Sequence, residues 1–310
     1  MISFVVPAFD EEESLPYFYK ELIKVAPKLS KNYEIIFVDD GSADSTLKIL
    51  KDLEKKDKRV RIYSFRKNQG KAEALSMGFQ KAKGDFVVTL DADLQDKPEE
   101  IIKLWKESKK GWDVVCGWRR GRRDSFGKKI FSKFFNFLVS LFWSFKFHDM
   151  NGGLKLYKSS VAKSLKLYGG MHRFIPLLVH EEGFTVTEVP IIHQERKFGK
   201  SKYGISKVVK NLPDMLTMLF LSRYSKRPLH FFGFVGGIIF LVGVLILIYL
   251  SIIHFQGHAI GRRPLLFLGM LLVISGFQVL FTGLLADLII SLNSSNNDGS
   301  NILLKYSSKE

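Results

Sequence analysis

Through the first 118 residues, short apolar runs alternate with longer stretches of helical periodicity. ISFVV, YEIIFVD, VRIYSF, DFVVTLD and DVVCG have strand length and are rich in Val, Ile and Phe. Between them lie EEESLPYFYKELIKVA, DSTLKILKDLEKK, GKAEALSMGFQKA and KPEEIIKLWKES, which read as helices. Asp44 or Ser45 is placed to cap the second helix, and Pro98 suits the first turn of the fourth. Strands alternating with helices predict an α/β fold, a doubly wound and mostly parallel sheet with helices on both faces. Ligands of such sheets bind beyond the carboxyl ends of the strands.

The pattern changes after residue 118. Residues 119–228 are basic and amphipathic, and read as a second part of the chain that includes interface helices. SFGKKIFSKFFNFLVSLFWSFKF repeats Ile130, Phe134, Phe137, Leu138, Leu141 and Phe145 at helical spacing. A helix packed on the sheet and a helix resting on a membrane surface both fit that stripe. ISKVVKNLPDMLTMLFLSRYSKRP is a second amphipathic stretch, expected in the interface. Residues 229–292 hold two uncharged stretches, about 231–253 and 264–286. Each spans roughly 34 Å as a helix, enough for a hydrocarbon core of about 30 Å. Residues 293–310 hold the polar SSNNDGS and then a short LLKYSSKE, and read as a flexible tail.

Composition narrows the partners. The chain carries 47 Lys+Arg against 31 Asp+Glu, a net charge of +16. Sequence motifs of RNA-binding modules are absent, so the charge points to anionic lipid or phosphorylated substrates rather than nucleic acid. A single cysteine, Cys116, excludes an intrachain disulfide framework. The opening MISFVVPAFD has no basic region or cleavage site and reads as a strand, not a signal peptide. Residues 1–228 are therefore expected in the cytosol, as the catalytic part of an integral protein of the inner or plasma membrane. Arg223, Lys226 and Arg227 before the first span, against Arg262 and Arg263 in the hairpin loop, favour that orientation by a small margin.

Candidate chemistry clusters at strand ends. In LDADLQD, Asp91 and Asp93 flank one small residue, with Gln95 two further on. Positions two apart on an extended segment face one side, so these three can converge on a hard cation such as Mg²⁺ or Mn²⁺. The first strand ends in VVPAFDEEES and the second in FVDDGSADST, placing Pro7, Phe9 and Glu11 near Asp39 and Asp40. Acidic groups there can hydrogen-bond a base or ribose. FRKNQGKAEAL brings Arg66 and Lys71 to a helix start, a natural anion position. Neither GxGxxG nor GxxxxGK[ST] occurs, which disfavours Rossmann dinucleotide and P-loop chemistry.

VVPAFDEEES, VDDGSADST, RKNQGKAEAL and LDADLQDKPE, in that order, resemble family 2 glycosyltransferases of the GT-A fold. CGWRRGRRDS, HDMNGGLKLYK, HRFIP, RKFGKSKYG and the RPLHFFG that enters the hairpin resemble their polyprenyl-phosphate branch. That branch includes dolichyl-phosphate mannose synthase and bactoprenol glucosyltransferases. The resemblance covers about residues 1–290. It implies metal-dependent, inverting transfer of a sugar from a nucleotide-diphosphate sugar to a polyprenyl phosphate. Pro7, Phe9, Glu11, Val38, Asp39 and Asp40, with Arg66, Lys71 and Ala92, would then contact the nucleotide sugar. Phe9 and Asp10 stand where many relatives have Tyr and Asn. Asp91, Asp93 and Gln95 would hold the metal and diphosphate, and Arg196 and Lys202 would close over the leaving nucleotide. Arg119 with Lys129 or Lys133 would meet the lipid phosphate, and Asp149 matches a position associated with positioning or proton handling.

Rival readings explain less of the chain. A processive polysaccharide synthase would carry QxxRW and more spans, whereas HQERKF lacks the tryptophan. Another family 2 enzyme acting on a polysaccharide or lipopolysaccharide stays open as the alternative acceptor class. A non-catalytic membrane scaffold gives no reason for DADLQ and RKFGKSKYG to occur together. The sugar, the nucleotide and the oligomeric state are not encoded in any legible pattern, and a homo-oligomer is compatible with all of it.

Overall fold

The five strands expected from the sequence all form, and the chain adds two more. β1 (Ile2–Ala8), α1 (Leu15–Leu29), β2 (Tyr33–Asp39), α2 (Thr46–Lys56), β3 (Val60–Ser64), α3 (Lys71–Lys81), β4 (Phe86–Thr89), α4 (Ile101–Ser108) and β5 (Val114–Arg119) follow the expected alternation. β6 (Lys155–Lys158), α5 (Ser159–Ser164), α6 (Ile175–Glu181) and β7 (Val186–Ile191) come from the segment after residue 118. The computed structural model describes residues 1–119, 147–194, 227–261 and 263–295. They fall into two units, Met1–Met215 and Leu216–Glu310.

The strands of the first unit make one sheet in the order β3-β2-β1-β4-β6-β5-β7. β1 is parallel to β2 and β4, β2 to β3, and β5 to β7. β6 alone runs against its neighbours β4 and β5. That reversal matters for the site. With β6 antiparallel between them, β4 and β5 point the same way. The chain therefore enters β6 at the edge where the other six strands leave.

Period-two alternation divides the core. Phe4, Ile35, Phe37 and Leu156 pack with Phe18, Leu22 and Leu104 on the α1 and α4 face. Val5, Ile36, Val38, Val87 and Tyr157 pack with Leu75, Phe79 and Ile175 on the α3 and α6 face. Each large apolar side chain buried this way contributes about 1.5–3 kcal/mol. At the start of α2, Asp44 supplies the capping bond: its Oδ1 accepts the Thr46 amide at 2.9 Å, while Ser45 makes no side-chain cap. Cys116 is buried in this core, and burial pushes its thiol up to about 12.

The second unit is a pair of long apolar helices, α7 (Pro228–Phe255) and α8 (Pro264–Ser295). Both exceed the expected spans, and α8 continues three residues into the segment read as tail. Glycines let them approach closely. A Cβ on Gly276 would lie 2.4 Å from the backbone nitrogen of Phe240, and one on Gly236 2.7 Å from the Gly276 carbonyl oxygen. Gly269, Gly276 and Gly283 recur every seven residues, the small-residue seam of helices packed in lipid. Their outer faces carry Phe234, Leu241, Leu271, Ile274 and Ile289, all exposed. Both helices are long and apolar enough to cross a membrane.

Candidate active site

Ala8 lies opposite Asp39 in the sheet register and Val5 opposite Thr89, so β1, β2 and β4 leave the sheet at the same edge, with β4 ending three residues short of β1. Lys155 at the start of β6 pairs with both Thr89 and Cys116. The loops carrying Phe9–Glu11, Asp40–Ser42, Arg66–Lys71, Asp91–Gln95, Arg119 and Asp149–Gly153 therefore meet at one edge.

The first two loops are laced together. Asp10 sits in the left-handed region at φ 50°, which suits Asp and Asn. Its backbone amide donates to Ser42 Oγ at 2.9 Å, and its Oδ1 accepts the Ala43 amide at 2.9 Å. The Glu11 amide donates to Thr46 Oγ1 at 2.8 Å, and Glu11 Oε2 accepts from Ser14 Oγ at 2.6 Å. Asp39 is buried, accepting from the Ser42 amide at 3.1 Å and from Ser64 Oγ at 2.6 Å. Asp40 reaches the third loop, where the Gln69 and Gly70 amides donate to it at 2.7 and 3.1 Å. Burial raises its pKa against those two donors. Gly41, at φ 72°, packs so tightly on Lys67 that a Cβ would lie 2.5 Å from its carbonyl carbon. Pro7 is half-buried and Arg66 exposed at this edge, whereas the Val38 and Ala92 side chains point into the core.

The acid pair follows β4. Asp91, 34% exposed at its side chain, forms an ion pair with Lys71 through Oδ1. Burial alone would raise its pKa, but Lys71, then Lys155 and Arg119, outweigh that and hold the carboxyl below its ordinary range. Gly153 lies against the same carboxylate, so close that a Cβ would meet Oδ2 at 2.4 Å. Asp93 is buried, and its Oδ1 accepts the Gln95 amide at 3.1 Å. Leu94 between them takes a left-handed φ of 58°, an uncommon conformation for a bulky residue. The loop is then fixed from beyond: the Gln194 amide donates to Gln95 O at 2.8 Å, and Asp96 Oδ1 pairs with His193 Nδ1 at 2.8 Å. Those contacts belong to the segment leaving β7 toward Arg196 and Lys202, which lie outside the described residues, as do Lys129 and Lys133.

Arg119 and Asp149 meet across the edge. Arg119 Nε donates to Asp149 Oδ2 at 2.6 Å and Nη2 to Oδ1 at 2.9 Å, a bidentate pair with side chains 10% and 13% exposed. Burial pushes the Asp149 pKa up, yet the Arg119 guanidinium overrides it and keeps the carboxyl below its ordinary range. Beside the pair, Trp118 stacks on His148 at 4.1 Å, and His148 is held by Glu188.

Three residues at this edge escaped the sequence reading. Lys155 is 3% exposed and donates to the Gly152 carbonyl. Tyr157 is wholly buried on the same strand face. His172, in the HRFIP segment, is kept neutral with a pKa of about 3 by burial and by Lys71 and Arg173. LKLYK held a usable signal for two of them: Leu154 and Leu156 alternate with Lys155 and Tyr157, so a lysine occupies an inward strand position.

Comparison with known proteins gives the site its kin. The family model described as glycosyl transferase family 2 matches residues 3–166. The dodecaprenyl-phosphate galacturonate synthase of Rhizobium johnstonii is 37% identical over 294 residues, 93% of this chain and 87% of that protein. The undecaprenyl-phosphate 4-deoxy-4-formamido-L-arabinose transferase of Proteus mirabilis is 33% identical over 93% of this chain and 88% of its own. Among solved structures, glucosyl-3-phosphoglycerate synthase from Mycobacterium tuberculosis, in complex with Mn²⁺, UDP-glucose and phosphoglyceric acid, shares the fold. Its TM-score is 0.54 at 18% identity, covering 72% of this chain and 79% of that one. With its acid pair at the end of β4 and a sheet shared with these enzymes, the chain belongs to glycosyl transferase family 2.

Proposed function

We propose that this protein transfers a glycosyl group from a nucleotide-diphosphate sugar to a polyprenyl phosphate, forming a lipid-linked monosaccharide at a membrane surface. One observation carries the reading. The likeness to enzymes named for polyprenyl-phosphate acceptors runs through 93% of the chain, sheet and apolar hairpin together. The two relatives differ in the sugar they are named for, so the likeness speaks for the acceptor.

The residues at the edge suit this chemistry. Asp91, Asp93 and Gln95 offer hard oxygens but no closed cage, and among the described residues no third acid or histidine joins them. Such a donor set fits Mg²⁺ or Mn²⁺ completed by substrate phosphates. The cation, when bound, neutralises charge on the departing diphosphate. Lys71, set against Asp91, fixes that carboxylate's orientation. An acceptor phosphate has a second pKa of about 6, so it is largely a dianion at neutral pH and needs little help from a base. Asp149, held ionised by Arg119, acts as a positioning carboxylate, and Arg119 presents its remaining donors to the phosphate. A phosphate oxygen attacks the anomeric carbon, and the bond to the nucleotide diphosphate breaks in line, inverting that centre. The hairpin keeps the chain at the membrane that holds the acceptor.

The test is reconstitution of the full chain in lipid nanodiscs with polyprenyl phosphate and a panel of labelled UDP- and GDP-sugars. A lipid-extractable labelled product is expected from at least one donor, and its absence with every donor sinks the acceptor assignment. Asp93→Ala should lower turnover by about a hundredfold or more while the protein still melts cooperatively. Chelation with EDTA should do the same, reversibly. Full activity in excess EDTA would refute the metal.

A further inference from the structure

The acid loop between β4 and α4 is tied down by chain leaving β7, the edge strand three places away in the sheet. Three successive residues make the tie. The Ile192 amide donates to Glu100 Oε2 at 3.2 Å, His193 Nδ1 to Asp96 Oδ1 at 2.8 Å, and the Gln194 amide to Gln95 O at 2.8 Å. Asp96 and His193 also face each other as an isolated antiparallel bridge. Their side chains are 4% and 14% exposed, so water is a poor substitute for either partner. Among the described residues, this is the one hydrogen bond that the Asp96 side chain makes.

The tie falls where the loop needs it. Gln95 is fixed on both sides, its amide donating to Asp93 Oδ1 at 3.1 Å and its carbonyl accepting from Gln194. Between Asp93 and Gln95 stands Leu94 at φ 58°, a conformation that a bulky residue keeps only where its surroundings impose it. Two of the three candidate cation ligands therefore flank a strained residue, and the His193 contact closes the loop two positions further on. Without His193 the Asp96 carboxylate is left buried and unpaired, which is costly. It then turns toward water, draws Gln95 with it, and lets Leu94 relax. We propose that His193 is a positioning residue for the candidate metal centre: through Asp96 it holds the loop in the turn that keeps Asp93 and Gln95 set for one cation. His193 itself does not touch the cation. This rests on the glycosyltransferase reading above, which supplies the metal.

Mn²⁺ binding tests it, followed by electron paramagnetic resonance on the full chain in nanodiscs with UDP or GDP present. The unaltered protein should bind Mn²⁺ with at least one nucleotide. His193→Ala should weaken that binding by about tenfold or more, as loss of an outer contact does at metal sites, while the protein still melts cooperatively. His193→Leu fills the space without a polar atom and should lose as much, and it decides the matter if the alanine variant fails to fold. His193→Asn returns a donor to the Nδ1 position and should bind Mn²⁺ within about threefold of the unaltered protein. Unchanged Mn²⁺ affinity in His193→Ala and His193→Leu overturns the proposal, and so does an equal loss in His193→Asn. Nitrogen hyperfine coupling to Mn²⁺ that vanishes in His193→Asn also overturns it, by making His193 a ligand. Mn²⁺ binding that shows the expected variant series, with no transfer to polyprenyl phosphate from any donor, removes the acceptor reading and keeps the positioning role. Absence of Mn²⁺ binding with both nucleotides removes the metal centre and the positioning role together.

Discussion

Arg119 and Asp149 hold opposite charges in a space where neither reaches much water, so each depends on the other. Removing one partner leaves an uncompensated buried charge, which costs about 3–5 kcal/mol. Arg119→Ala and Asp149→Ala should each lower unfolding free energy by that order in denaturant titrations. The double variant should lose clearly less than the sum, since it buries no lone ion. Single losses that simply add would show that the pair is not coupled. A second residue sets a pH dependence. Burial, with Lys71 and Arg173, lowers the His172 pKa from 6.5 to about 3. Between those values the unfolded chain binds a proton that the folded chain refuses, so stability must fall as pH drops from 6.5 toward 3. His172→Asn should show a smaller loss between pH 7 and pH 5, measured by urea unfolding at each pH. The acids at strand ends were legible because a carboxylate pair after an apolar run has few structural uses. Lys155 was not, because one lysine in a short run reads as a solvated side chain until its neighbours are known. The pairing of Arg119 with Asp149 was likewise hidden, since they lie 30 positions apart and only the fold brings them together.

At the scale of elements, the site depends on one four-residue strand running the wrong way. β1 to β5 were readable from alternation because each is apolar and followed by a helix or a turn signal. β6 is only Lys155–Lys158, too short for periodicity to separate from a loop, and its direction is fixed by pairing rather than by composition. Yet it is β6 that starts at the edge where the acids lie, with Gly153 just before it set against Asp91. The turn has no room to spare: a Cβ on Gly152 would lie 2.7 Å from Gly117 O, and one on Gly153 2.4 Å from Asp91 Oδ2. Gly153→Ala must therefore move the Asp91 carboxylate off Lys71 or push the turn outward. Displacement of about an ångström at a reacting centre costs on the order of a hundredfold in rate. Gly153→Ala should lose transfer to that extent with its melting temperature lowered by only a few degrees, measured on the same preparation. A wild-type rate in this variant would mean that Asp91 does not need its present position.

For the whole molecule, the deciding question is whether the two long helices cross a membrane. α7 has 28 residues and α8 has 32, about 42 and 48 Å at 1.5 Å per residue, against a hydrocarbon core of about 30 Å. Their exposed Phe, Leu and Ile side chains would face water at great cost in a soluble protein, whereas in lipid they need no partner. If both cross, the turn between them emerges on one side and both outer ends on the other. Residues 1–227 then share a side with the end of α8. The net charge of +16 favours the anionic cytoplasmic surface for that side. Single cysteines decide the matter cleanly, because the native Cys116 is buried and its thiol is pushed up to about 12, leaving it inert to maleimide. Gly257 sits at φ 89°, where a side chain strains the backbone, so exposed His258 is the better reporter in the turn. Exposed Lys31 serves the sheet side. His258→Cys should react with an impermeant maleimide added outside intact cells, and Lys31→Cys only after the membrane is opened. Labelling of both from the outside, or of neither until lysis, would place turn and sheet on one side of the membrane, and the hairpin would then lie along the membrane rather than through it.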